Sequence, residues 1–195
     1  MVTADTNPFR VSRIESLAYR APGFTWEAFL NTLATHQYRG AIVGPHGTGK
    51  TTLMLETQER LAATGLAVTY GFLNEETPRP GRVARRIVRD TPKDTVLILD
   101  GAEQLDALTW RWVCWTARRL RGFIVTTHTP GRLPTLYRTQ SCQATLRELL
   151  GELNPEDLES RWPRAREHFN QNKGNIRDVF FDLYDDCTQT SGKAD

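Results

Sequence analysis

The segment from Gly44 to Thr51 has the sequence GPHGTGKT, whose residue types and spacing suit phosphate chemistry. It fits the pattern G-x-x-x-x-G-K-[ST] in full. Glycines allow the tight turn that brings backbone N–H groups to phosphate oxygens. A helix that begins at the loop adds its unpaired N–H groups and its dipole. The segment is therefore interpreted as a phosphate-binding loop.

The polar side chains of this loop have separate expected roles. Lys50 is expected to bridge the β- and γ-phosphates, and the Thr51 hydroxyl to bind Mg²⁺. The predicted nucleotide-binding residues are Gly44, Pro45, His46, Gly47, Thr48, Gly49, Lys50, Thr51 and Thr52. The alternative is a glycine turn with an incidental lysine, but chance gives the full pattern in roughly one chain in a hundred of this length.

A second chemical signal is the aspartate that ends the apolar run VLILD, at position 100. Ligands of open α/β sheets bind at the carboxyl ends of the strands. Asp100 is therefore the candidate Walker-B aspartate that, with Thr51, holds Mg²⁺. The nearest following glutamate is Glu103. It either orients the attacking water or only caps the next helix.

A third signal is the run GFIVTTH, which ends in Thr126, Thr127 and His128. Thr127 or His128 is a candidate contact to the γ-phosphate or the attacking water. The alternative is that threonine is simply a good strand former and that His128 ends the strand. Arg132 follows in a loop at the same edge, where an arginine can reach the γ-phosphate of a neighbouring subunit.

The elements that must position these residues alternate along the chain. Predicted strands cover 39–44, 66–73, 95–100, 122–128 and 135–139, and predicted helices cover 25–36, 80–90 and about 105–120, with another from the loop to near residue 65. This alternation predicts an α/β fold with a parallel sheet of about five strands and helices on both faces. A short C-terminal helical tail follows.

The predicted organisation is an N-terminal segment and helix (1–36), a P-loop NTPase core (37–140) and a small lid-like helical region (141–195), forming one compact domain. Residues 1–24 are expected to be irregular before the first helix. The net charge of +2 gives no argument for nucleic acid. No apolar run is long enough to cross a membrane, and the first ten residues lack the apolar region of a signal peptide. Three widely spaced cysteines predict reduced thiols and a cytoplasmic location.

The stretch WRWVCWTARRLR, residues 110–121, interleaves tryptophan with arginine. Helical spacing predicts one core face formed by Trp110, Val113, Ala117 and Leu120. It leaves a second stripe formed by Trp112, Trp115 and Arg119. That stripe is open to three interpretations, a solvated face, a partner surface and, less favoured, a surface for stacking on bases.

The order of these motifs resembles the ASCE division of P-loop NTPases, and within it AAA+ ATPases and their STAND relatives. The segment LILDGAEQL is similar to the Asp-Gly segment of STAND proteins, and VTTH sits where the family has its sensor-1 polar residue. KGNIRDVFFDLYD is similar to the start of a lid helix that carries the sensor-2 arginine, here Arg177. The resemblance implies Mg-ATP binding, hydrolysis and self-association through an arginine supplied in trans.

The chain departs from this family at the Walker-B end, where Gly101 follows Asp100 in place of the usual glutamate. This departure weakens the argument for hydrolysis more than the argument for binding. Three classes remain, namely an ATPase that couples nucleotide state to a protein partner or second copy, a small-molecule kinase, and a nucleotide-binding interaction module with little hydrolysis. Without a guanine signature, ATP is expected over GTP, with the adenine near residues 17–23.

Overall fold

The computed structural model describes residues 7–191, with side chains described to residue 188. The described chain contains two compact units. The sheet unit comprises 24–44 and 53–139, and the helical unit comprises the described residues up to 23, the loop segment 45–52 and the residues from 140 onward. The predicted domain bounds remain a prediction. The expectations for residues 1–6 and 192–195 lie outside the described residues.

Five strands of the described chain form one sheet, and all of its pairings are parallel. The strands are β1 (Arg39–Val43), β2 (Val68–Phe72), β3 (Val96–Asp100), β4 (Gly122–Thr127) and β5 (Thr135–Arg138). Their order across the sheet is β2-β3-β4-β1-β5. The predicted α/β class with a five-stranded parallel sheet is confirmed.

The described chain contains eight α-helices. They are α1 (Val11–Glu15), α2 (Trp26–Thr35), α3 (Lys50–Ala63), α4 (Pro80–Asp90), α5 (Ala107–Ala117), α6 (Gln143–Leu153), α7 (Leu158–Gln171) and α8 (Ile176–Ser191). A short 3₁₀ turn, Ala102–Gln104, follows β3. Thr25 caps α2 as predicted, because its side chain accepts a hydrogen bond from the Ala28 N–H at 3.3 Å.

The interior strands β3 and β4 are buried along their whole length. Leu97 and Leu99 pack on the side of α4 and α5, where they join a core that includes Val88 and Val113. Ile98 alternates to the opposite side of the sheet and is also fully buried. The connection from β1 to β2 crosses the sheet in one direction, and the connections from β2 to β3 and from β3 to β4 cross it in the other. Because such connections are right-handed, α3 lies on the side of the sheet opposite to α4 and α5.

The helical unit has a core of its own around α6, α7 and α8. Its buried residues include Phe9, Leu17, Leu146, Leu150, Val179, Phe180 and Leu183. The expectation of an irregular segment over residues 1–24 is wrong for part of the described range, because α1 lies within it. Phe9 and Leu17 bury their side chains in this core, and the Phe9 ring stacks on Phe180 with centroids 6.1 Å apart. The burial of these two side chains holds the segment around α1 against the core of the helical unit.

Of the described helices, none is long and apolar enough to span a bilayer.

Candidate functional site

The predicted phosphate loop is a turn whose backbone requires glycine at two positions. Gly47 has φ +68° and Gly49 has φ +82°, in the left-handed region that other residues rarely adopt. The helix α3 begins at Lys50, directly after the second of these glycines. The N-terminus of a helix favours an anion, because its first N–H groups have no acceptor within the helix.

Both glycines also lie against residues of the helical unit. A Cβ atom at Gly47 would lie 1.6 Å from the Oδ1 atom of Asn175, and one at Gly49 would lie 3.0 Å from the ring of Tyr19. Tyr19 belongs to the segment 17–23 that was expected near the adenine. Asn175 was not among the predicted site residues, although it is the asparagine of the Gly-Asn-x-Arg pattern that drew attention to Arg177.

Asn175 has a second function as the cap of α8. Its Oδ1 atom accepts hydrogen bonds from the backbone N–H groups of Arg177, at 3.1 Å, and Asp178, at 3.3 Å. Its Nδ2 atom donates to the Asp178 carboxylate at 2.6 Å. A capping side chain satisfies N–H groups that the helix itself cannot. The start of α8 and the phosphate loop are therefore packed on the same side chain.

We expect Gly47→Ala to destabilise the protein by more than Gly23→Ala does. Both substitutions place alanine at a positive φ, which costs more than about 1 kcal/mol, but a Cβ at Gly23 (φ +70°) has no atom within 4 Å. The clash with Asn175 adds roughly 1–3 kcal/mol at Gly47 only. The measurement is the free energy of unfolding in urea. Equal losses for the two variants would contradict the packing of the loop on Asn175.

Lys50 is 8% exposed, and its ammonium lies within the loop itself. Its Nζ atom donates a hydrogen bond to the Pro45 carbonyl at 2.6 Å. The Thr48 hydroxyl donates to the same carbonyl at 2.9 Å. Thr51 is exposed and Thr52 is half-buried, both on the first turn of α3. The buried positive charge is thus positioned among the loop residues before any ligand is considered.

Asp100 ends β3 and is held by two hydroxyl groups of neighbouring strands. It is 3% exposed. Tyr70 of β2 donates to its Oδ2 atom at 2.8 Å, and Thr126 of β4 donates to its Oδ1 atom. The Thr126 oxygen also accepts from the Gly101 N–H at 2.8 Å. Burial, and then the Asp100 charge, raise the pKa of the Tyr70 phenol well above its usual range, so the phenol remains a donor.

The departure from the family pattern at Gly101 has a steric reason. Gly101 has φ +84°, and a Cβ atom there would lie 1.9 Å from the Leu73 carbonyl oxygen. A glutamate directly after Asp100 therefore does not fit this turn. The next carboxylate, Glu103, lies in the 3₁₀ turn. Its Oε1 atom is 3.0 Å from the Nε2 atom of His128, which directly follows β4.

The remaining predicted site residues, Thr127, Arg132 and Arg177, each contact a different part of the protein. The Thr127 hydroxyl donates to the Thr129 carbonyl at 2.9 Å. Arg132 donates to the carbonyls of Ala102, at 2.9 Å, and Leu105, at 2.7 Å. Arg132 therefore holds both ends of the turn that carries Glu103, and its role in trans remains a prediction. Arg177 is exposed, with its guanidinium 5.5 Å from the centre of the Phe181 ring.

The oxygen donors of Thr51 and Asp100 fit Mg²⁺, which prefers hard oxygen ligands and is usually bound by one or two protein groups together with phosphates. A carboxylate accepts about four hydrogen bonds or ligands, and the two hydroxyls on Asp100 leave part of that capacity. Over residues 7–191, no three His, Cys, Asp or Glu side chains are grouped as a metal site.

No protein-family model matches the sequence, and no curated protein matches it. Among solved structures, two point mutants of Thermotoga maritima RuvB are similar to this chain. The first has a TM-score of 0.47 at 13% sequence identity, and the match covers 82% of this chain and 69% of the RuvB chain. The second has a TM-score of 0.45 at 15% identity, and the match covers 82% of this chain and 70% of the RuvB chain.

Proposed function

We propose that this chain is a Mg-ATP-binding P-loop NTPase, an ATPase of the AAA+/STAND type that couples nucleotide state to a partner. The observation that carries the proposal is the order of the strands. β4 lies between β1, which leads into the phosphate loop, and β3, which ends in Asp100. An extra strand between the two Walker strands is what the resemblance to ASCE proteins implies.

Register supports the same proposal. The Gly44 N–H, the first of the loop pattern, donates to the Thr127 carbonyl at the end of β4, at 3.1 Å. Neighbouring strands are about 4.8 Å apart, so the ends of β1 and β3 are separated by roughly 10 Å. This separation of the two strand ends suits a nucleotide with its metal.

Each residue has a chemical role in the proposal. Lys50 offsets the negative charge of the β- and γ-phosphates, and Tyr70 and Thr126 fix the orientation of the Asp100 carboxylate. Thr51 and Asp100 would supply oxygen ligands to Mg²⁺, which would add positive charge at the phosphates. Glu103 accepts a proton from, or orients, the attacking water. Thr127, Arg132 and Arg177 stay candidate phosphate contacts.

The second candidate is a nucleotide-binding interaction module with little hydrolysis. The contact between Glu103 and His128 favours it, because a carboxylate oxygen engaged by an imidazole is less available to a water. A protein partner or a second copy of the chain, and a cytoplasmic location, belong to either proposal. A small-molecule kinase differs from both in needing an acceptor before the phosphoryl group is transferred.

Phosphate release separates the three classes. We expect slow, Mg²⁺-dependent phosphate release from ATP without any acceptor, removal of that activity by EDTA, and weaker competition by GTP than by unlabelled ATP in a binding assay. Tight ATP binding without release would favour the interaction module. ADP formation that depends on an added small-molecule acceptor, without release of free phosphate, would favour the kinase. Preference for GTP would contradict the adenine assignment, and binding of neither nucleotide would overturn the proposal as a whole.

A further inference from the structure

The outer side of α5 contains a cavity of about 580 Å³, here named the α5 groove. Its lining includes Trp110, Arg111, Cys114, Trp115, Arg118 and Arg132. Three of these are arginines, and no aspartate or glutamate lines the cavity. The groove therefore combines aromatic surface with side chains whose charge is only positive.

The predicted stripe of Trp112, Trp115 and Arg119 is divided by the fold. Arg119 donates to the carbonyls of Val88, at 2.7 Å, and Thr91, at 2.8 Å, where α4 ends. The Trp112 ring is half-buried, with the Arg85 guanidinium 5.6 Å from its centre. Both residues thus stabilise the contact between α4 and α5. Of the three stripe residues, Trp115 alone keeps an open aromatic surface.

Trp115 is 67% exposed. Within residues 7–191 its ring is stacked on no other aromatic ring and has no cation over its face, in contrast to Trp110, which stacks on Phe123 with centroids 6.1 Å apart. Large apolar side chains exposed to this degree mark interaction sites when they lie in a concave surface. The indole of Trp115 is therefore available to a flat ligand.

Arg111 and Arg118 flank this indole along the helix. They lie four residues before and three residues after Trp115, which places all three side chains on one face. Both arginines are exposed, and in the described part of the chain neither side chain has a carboxylate within ion-pair distance. The positive charges of the groove also act on the Cys114 thiol. Burial raises the pKa of this thiol to about 11, and the charges of Arg132 and Arg118 partly offset that rise.

We propose that the α5 groove binds single-stranded nucleic acid, with a base stacked on Trp115 and the adjoining phosphates paired with Arg111 and Arg118. The alternation of cation, indole and cation matches the alternation of phosphate and base. Base–aromatic stacking tolerates any sequence because every base has a π-face, and guanidinium groups pair with phosphate oxygens through two hydrogen bonds. An acidic peptide would satisfy the arginines but would leave the indole without a flat partner. This inference goes beyond the proposed nucleotide site, and the residues that would contact the nucleic acid, Trp115, Arg111 and Arg118, are not among those proposed for that site.

Fluorescence anisotropy with a labelled oligothymidine of about 16 nucleotides, the upper end of known site sizes, tests the inference. We expect Trp115→Ala to weaken binding by roughly 5- to 150-fold and Trp115→Phe to retain most of it. The double variant Arg111→Glu/Arg118→Glu should weaken binding and reduce the slope of log affinity against log salt by about 1.4. Arg166→Glu, at an exposed arginine of α7, is the matched control and should bind like the wild type with nearly its salt slope.

Three results would overturn the inference. They are the absence of oligothymidine binding by the wild type, an unchanged affinity of Trp115→Ala, and equal competition by an abasic phosphate chain or by polyglutamate. The last result would identify an anionic site without stacking, and polyglutamate in particular would indicate an acidic protein partner. Circular dichroism and ATP titration of each variant check folding, and the exposed position of Trp115 makes its replacement compatible with the fold.

Discussion

Replacing Lys50 by methionine is expected to reduce Mg-ATP affinity by roughly 10- to 150-fold, because the loop loses charge-assisted hydrogen bonds of about 1.5–3 kcal/mol. Methionine is preferred to alanine since Lys50 is 8% exposed and its aliphatic stem is part of the packing. Lys50→Ala should lose binding equally and also lose some stability. Calorimetric titration with Mg-ATP measures the affinity, and thermal unfolding without nucleotide measures the stability.

Lys93→Met provides the control for this prediction. Lys93 is an exposed lysine between α4 and β3, so its replacement removes the same charge from the chain without altering the loop. It should bind Mg-ATP like the wild type. If Lys50→Met kept the wild-type affinity, the interpretation of segment 44–51 as a phosphate loop would be wrong.

The second large effect is expected at the Walker-B end. Asp100→Asn should eliminate turnover and weaken binding of Mg-ATP, because the amide has no negative charge for the metal. The amide also points an N–H group at the hydroxyl of Tyr70 or Thr126, each of which donates to the carboxylate in the wild type. If Glu103 is the base, Glu103→Gln should keep ATP bound while single-turnover hydrolysis falls by roughly 10²–10⁴-fold. The measurement is the rate of phosphate formation with enzyme in excess over ATP.

Glu76→Gln, at an exposed glutamate in the loop after β2, is the matched control and should leave the rate unchanged. Tyr70→Phe removes one of the two hydroxyls on Asp100, so its effect should be smaller than that of Asp100→Asn. Equal rates for the wild type and Glu103→Gln would end the assignment of Glu103 as base. They would leave the role of Asp100 intact, because that role also affects binding.

Much of the local structure could be predicted because its causes are local. The predicted strands and helices all occur, since hydrophobic periodicity and turn residues act over a few positions along the chain. The capping of α2 by Thr25 was predicted for the same reason. The pattern of glycines at Gly47 and Gly49 matched a turn that needs positive φ, and this requirement belongs to the backbone itself.

Contacts between distant residues could not be predicted, because periodicity gives the face of an element but not its neighbour. Tyr70 appeared only as a strand residue, yet its hydroxyl reaches Asp100 from the adjacent strand. Arg132 was a candidate phosphate contact in trans and Arg119 was placed on the stripe of α5, yet each donates to backbone carbonyls more than 25 positions away in sequence. Long side chains of this kind take whichever buried acceptors the fold brings within reach.

The sequence by itself determined the phosphate-loop pattern, the aspartate at the end of its strand and the alternation of strands and helices, because each depends on residue types at short spacing. Only the tertiary structure decided the order of the strands, which puts β4 between β1 and β3. It also decided the steric exclusion of a side chain at Gly101 and the packing of Gly47 on Asn175. These are contacts between segments brought together by burial of apolar side chains, and local patterns do not specify such partners.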